Sequence, residues 1–144
     1  MDYCITPNLT VQFYGSPFVS AGEYSEFKHI TRPKADAYLD RFDTYDGGQV
    51  TYNSAAEEYS VDENTDGTDD YSFSNPDFNV RDFNSNLVVR WEFMPGSLLY
   101  LVWSQARSDY VARGDFDLNR DMEGLFDVHP HDIFLIKVVK WFSL

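Results

Sequence analysis

An all-β, antiparallel, up-and-down meander is the fold class this sequence predicts, and three observations predict it. In residues 86–93, Leu87, Val89, Trp91 and Phe93 alternate with Asn86, Val88, Arg90 and Glu92, a period of two and not of 3.6. Short turns alternate with long polar loops along the chain, the asymmetry of a transmembrane barrel; a sandwich spreads loop length more evenly over both ends. No apolar run of about 18 residues offers a membrane helix, whereas a barrel strand needs only about 9 to 11 residues. The expectation is therefore the carboxy-terminal segment of an outer-membrane β-barrel with long external loops.

The elements follow in chain order. Residues 4–13 line up with residues 92–101, and Pro7 falls where Pro95 falls. Val11 and Phe13 then match Leu99 and Leu101, with Thr10 and Gln12 on the other face. Residues 2–5 become the tail of an earlier strand, so the chain, a single segment over residues 1–144, is expected to be the carboxy-terminal part of a larger barrel. Its net charge is −13 over 144 residues, but residues 36–85 hold thirteen acids against Arg41 and Arg81, a net of −11. That stretch reads as one acidic loop, with turns at Asp46-Gly47-Gly48, Asn64-Thr65-Asp66-Gly67 and Asn75-Pro76-Asp77 and short strands near residues 37–45 and 49–53. After the strand of residues 86–93, Pro95-Gly96 sits in the middle of a type II turn. Because that dipeptide is not the preferred two-residue hairpin turn, a loop of about four residues is expected before the strand resumes at 98–104. Residues 108–132 form a second long loop. The last strand is expected to run from 133 to 144, with Phe134, Ile136, Val138, Phe142 and Leu144 on one face. Both its faces are largely apolar, which suits either the covered centre of a soluble sandwich or the closing strand of a barrel. Lys140 departs from the apolar face, close enough to the end to snorkel.

The acidic balance argues against a nucleic-acid partner. Cys4, alone, forms neither an internal disulfide nor a thiolate cluster. Among candidate sites, Asp62, Asn64, Asp66, Thr68 and Asp70 place oxygen ligands at alternate positions with Gly67 sixth, as in a calcium loop. The pattern fails at the twelfth position, Phe73, where a bidentate glutamate belongs. The competing reading is a solvated acidic turn. Tyr45, Tyr52, Tyr59 and Tyr71 offer rings for stacking on a glycan, or else pin the loops together. His129, His131 and Asp132 lack a further partner for a metal. No serine-nucleophile, zinc-protease or phosphate-loop motif occurs, so no catalytic residue is assigned and no cofactor other than calcium is expected.

Residues 86–93, Pro95-Gly96-Ser97, residues 99–105 and the ending Trp141-Phe142-Ser143-Leu144, with residues 5–9 and 75–79, resemble the carboxy-terminal part of the domain of unknown function 5916 family. The resemblance implies a Gram-negative outer-membrane barrel that usually carries an amino-terminal module similar to family 9 carbohydrate-binding domains. It implies as partners the lipid bilayer, the missing upstream strands, a glycan and the outer-membrane assembly machinery, for which Phe142 and Leu144 are the assembly signal. The family offers no catalytic residues to carry over. The expected role is a structural, membrane-embedded one linked to carbohydrate binding or uptake. The alternative is a soluble secreted β-domain that binds calcium or glycan through its acidic, tyrosine-containing loop.

Overall fold

A computed structural model describes residues 1–142 of the chain. In chain order the elements are β1 (Asp2–Thr6), β2 (Leu9–Gly22), β3 (Lys28–Ile30), a 3-10 turn at Tyr38–Arg41, β4 (Phe42–Thr44), β5 (Val50–Asn53), β6 (Glu58–Val61), β7 (Tyr71–Ser74), β8 (Phe78–Met94), β9 (Ser97–Val111), α1 (Leu118–Asp127) and β10 (His131–Val139). Their contacts define two units. The first comprises Met1–Ala21, Asn79–Val111 and the chain from Phe116 onward; the second comprises Gly22–Phe78 and Ala112–Asp115.

The first unit is built on one five-stranded sheet in the order β1-β2-β8-β9-β10, so its strands lie in chain order as in the expected meander, with β3 to β7 inserted between β2 and β8. The two hairpins share a plan. Thr6 pairs with Leu9 across Pro7-Asn8, and Met94 with Ser97 across Pro95-Gly96; in each case the register shifts just before the turn. The expected four-residue loop is thus a two-residue turn. Gly96 takes φ +74°, as a type II turn requires at its third residue, and the irregularity between Glu92 and Met94 absorbs the twist that such a turn mismatches. Trp141 also packs there: its N–H donates to the Ser97 hydroxyl at 3.1 Å, and a Cβ on Gly96 would meet the Trp141 Cβ at 3.1 Å.

Two expectations need correcting in this unit. β10 ends at Val139, so Lys140 lies beyond the strand with its ammonium 5.1 Å from the Phe142 ring; Ser143 and Leu144 are outside the described residues. The stretch of residues 108–132 contains α1, started by Asp117, whose carboxylate accepts from the Arg120 N–H at 3.0 Å.

The second unit carries two small antiparallel sheets, β3-β4 and β5-β6-β7, so the acidic stretch is more ordered than its composition suggests. Its single aromatic residues find one another across strands: Tyr52 opposes Tyr59, which opposes Phe73. Burial is sparse. Among the described residues, Val61 and Leu125 are the fully buried apolar side chains, one in each unit, and all nine residues of β10 are exposed.

Candidate functional site

The sheet of the first unit is its most informative surface. Antiparallel partners share a face, so the register sorts the side chains of β8, β9 and β10 into two sets. One face carries three consecutive apolar rows: Trp91, Leu99 and Val138; Val89, Leu101 and Ile136; Leu87, Trp103 and Phe134. Trp103 stacks flat on Phe134 with centroids 5.9 Å apart. The next row on that face turns polar, as Ser85, Gln105 and Asp132, and the Asp132 carboxylate accepts from the Trp103 indole at 2.8 Å and the Gln105 amide at 3.2 Å. The opposite face is mixed. Its rows are Arg90, Tyr100 and Lys137; Val88, Val102 and Leu135; Asn86, Ser104 and Ile133; Asn84, Ala106 and His131. Tyr14, Asn84, Asn86, Ser104, His131 and Ile133 line a shallow depression of mixed polarity there.

Beyond the polar row, α1 packs on the same face as the apolar rows. The Asn79 amide donates to the buried Asp121 carboxylate at 3.0 Å, and Phe83 meets Phe126 with centroids 5.2 Å apart. Arg107 donates to the carbonyls of Phe126 and Val128, neutralising the carboxy-terminal end of the helix dipole. Arg81 pairs with Asp109, and its guanidinium lies so close to Gly124 that a Cβ at that position would force it to shift. Burial by itself raises the Asp121 carboxyl. The hydrogen bonds from Asn79, the Asp117 N–H and Arg120, with the charge of Arg120, outweigh it, and the group titrates below its ordinary value.

In the second unit, the candidate calcium ligands are turned onto their own backbone. The two Asp62 oxygens accept from the N–H groups of Asp66 and Gly67, Asn64 Oδ1 from Asp66, Asp66 Oδ1 from Thr68, and Asp70 Oδ2 from Glu63. These bonds make a chain of Asx turns. Among the described residues, no group of three or more His, Cys, Asp or Glu side chains converges as metal ligands. His129 and His131 therefore stand without such a group as well.

The four candidate tyrosines fall into two clusters. The hydroxyls of Tyr45 and Tyr71 meet each other and both donate to Glu63 Oε1, at 3.2 and 3.1 Å, while His29 stacks on Tyr45 at 4.5 Å. Tyr52, Tyr59, Phe27 and Phe73 form the second, with ring centroids 4.7 to 5.4 Å apart. In the second cluster Tyr52, Tyr59 and Phe73 meet ring to ring across β5, β6 and β7, whereas in the first Tyr45 and Tyr71 meet through their hydroxyls. The residues that the sequence did not single out are Asn79, Arg81, Arg107 and Asp121. The local signals for that cluster are Asp117, an N-cap residue ahead of a ten-residue helix, and the helical spacing of Leu118, Met122, Leu125 and Phe126.

An antiparallel sheet protein with one apolar and one mixed face is the class that this geometry defines. The chain belongs to the family described as Domain of unknown function (DUF5916), whose model matches residues 45–143. No curated protein and no solved structure matches the chain.

Proposed function

We propose that this chain is a structural part of the wall of a Gram-negative outer-membrane β-barrel, with its apolar face toward lipid and its mixed face toward the interior. One observation carries the reading: three register-matched strands segregate nine apolar side chains onto one face, and that face is left open. Ile136 is 71% exposed and Phe134 74%. In water such a face is costly, since each of these side chains gains roughly 1.5–3 kcal/mol on leaving it. A bilayer removes that cost with no second layer of protein.

Other features agree with it. β2, β8 and β9 have 14, 17 and 15 residues, and β10 has nine, against the roughly 9 to 11 that a tilted barrel strand needs to cross. Trp103 and Phe134 lie in one outer apolar row and Trp91 in the other. The turns at Pro7-Asn8 and Pro95-Gly96 are short, and the connections after β2 and β9 are long. No helix among the described residues is long and apolar enough to cross a membrane.

Adjacent positions on β9 test it. In a Cys4→Ser background, Leu101→Cys and Tyr100→Cys each carry an environment-sensitive fluorophore, and the chain is reconstituted in vesicles containing brominated lipid. Strong quenching at position 101 and weak quenching at 100 is the expected result. Equal quenching at both overturns the assignment of faces.

A further inference from the structure

We propose that the β3–β4 hairpin holds a binding site for a small aryl carboxylate, an anion with a flat apolar body. The proposal does not depend on the membrane reading. It begins with charge. In a chain of net charge −13, residues 28–41 carry Lys28, Arg32, Lys34 and Arg41 against only Asp36 and Asp40, a local excess of positive charge.

The hairpin brings part of that charge to an apolar basin. Ile30 opposes Phe42 in register and Lys28 lies two residues earlier, so all three share one face. His29 points the other way and stacks on Tyr45, so the hairpin's second face is already occupied. The segment between the strands is folded back on itself: the N–H groups of Thr31 and Arg32 donate to the Arg41 carbonyl at 3.1 and 3.3 Å, and Arg41 Nε donates to the Ala35 carbonyl at 2.9 Å. The result is an open basin of about 630 Å³, walled by Ile30, Leu39, Tyr38 and Phe42 with Lys28 and Arg41 on its polar side.

The lining selects the ligand. Tyr38 meets Phe42 edge to face at 5.4 Å, and the Lys28 ammonium lies 5.0 Å from the Phe42 ring centre. Ile30, Tyr38 and Leu39 remain 73%, 70% and 74% exposed, a cluster of large apolar groups held in water beside two cations. Arg41 keeps its terminal nitrogens for the paired oxygens of a carboxylate, and Lys28 adds a second charge. Among these walls the Tyr38 hydroxyl is the one neutral polar group. A sugar, which needs several hydrogen-bond partners, is poorly matched, whereas a flat hydrocarbon ring is well matched.

The test titrates 2-naphthoate into the full chain in detergent micelles, with 2-naphthamide and galacturonate as parallel ligands. Each is compared with Lys28→Gln and Tyr38→Ala in the same micelles, so that partition into detergent cancels. Both side chains are exposed, and circular dichroism checks that the variants keep the fold. Saturable naphthoate binding is expected, about fivefold tighter than naphthamide, with Lys28→Gln erasing most of that difference. Tyr38→Ala is expected to weaken both naphthyl ligands. Equal affinity for acid and amide, indifference to Lys28→Gln, tighter binding of galacturonate, or no saturation overturns the proposal.

Discussion

The hydroxyls of Tyr45 and Tyr71 converge on one oxygen of Glu63, an arrangement that favours the protonated phenol of Tyr45. Burial raises Tyr45 far above its ordinary value of 10.0, and the hydrogen bonds and charges of Tyr71 and Glu63 push in the same direction. Burial also raises Tyr59, aided by the charges of Asp77, Tyr52 and Glu23. A phenol whose value is higher folded than unfolded stabilises the fold below the unfolded value. That contribution is lost as pH rises above about 10, because the unfolded chain releases its proton first. Ultraviolet titration is therefore expected to show late-ionising tyrosines, one of which disappears in Tyr45→Phe. A single transition near the ordinary value would contradict the geometry. Composition does not show that these tyrosines contact one another. Tyr45 and Tyr71 are far apart in sequence, and only the folding of the loop brings them to Glu63.

At the level of the element, α1 is held by polar groups more than by its own apolar surface. Its buried side chains are Asp121 and Leu125, while Leu118 and Phe126 stay exposed. The Asp121 carboxylate accepts from Asn79, from the Asp117 N–H at 3.0 Å and from Arg120, which ties the helix to β8. Its folded value is depressed, so its contribution is present above the unfolded value, near 3.8, and fades as pH falls through the folded one. Amide exchange across residues 118–127 is expected to stay slow at neutral pH and to quicken on acidification below about pH 4. In Asp121→Asn, protection is expected to be lower already at neutral pH and to lose that acid step. An unchanged acid profile would remove Asp121 as the tie. The helix was hard to read from sequence because it is short and rich in charge, so that Leu118, Met122, Leu125 and Phe126, although at helical spacing behind the Asp117 start signal, sit in a stretch whose composition reads as a loop. The strands of residues 86–93 and 98–104 were legible because period-two alternation is local, and so were the matched proline turns. β10 was legible as a strand but not in its end, since Trp141 turns back onto Gly96 and Ser97 through a contact with no local signature.

For the whole chain, sparse burial is the feature with consequences. Among the described residues, one fully buried apolar side chain in each unit is little for a soluble domain, whose stability rests on apolar area removed from water. The chain produced without detergent is therefore expected to aggregate, and to give a cooperatively unfolding species only with lipid or detergent present. A monodisperse, cooperatively unfolding monomer in plain buffer would contradict the membrane reading. By itself the sequence determined the strand class, the meander, the two proline hairpins, the family and the confinement of negative charge to residues 36–85. Each of these depends on neighbours in the chain, through side-chain alternation, backbone restriction at proline and glycine, or composition. Only the tertiary structure decided that Leu87, Trp103 and Phe134 share a row, that Asp62 caps its own turn, that Asp121 anchors a helix, and that Lys28 and Arg41 meet the rings of Tyr38 and Phe42. Those outcomes depend on strand register and loop closure, which bring together groups that no local pattern relates.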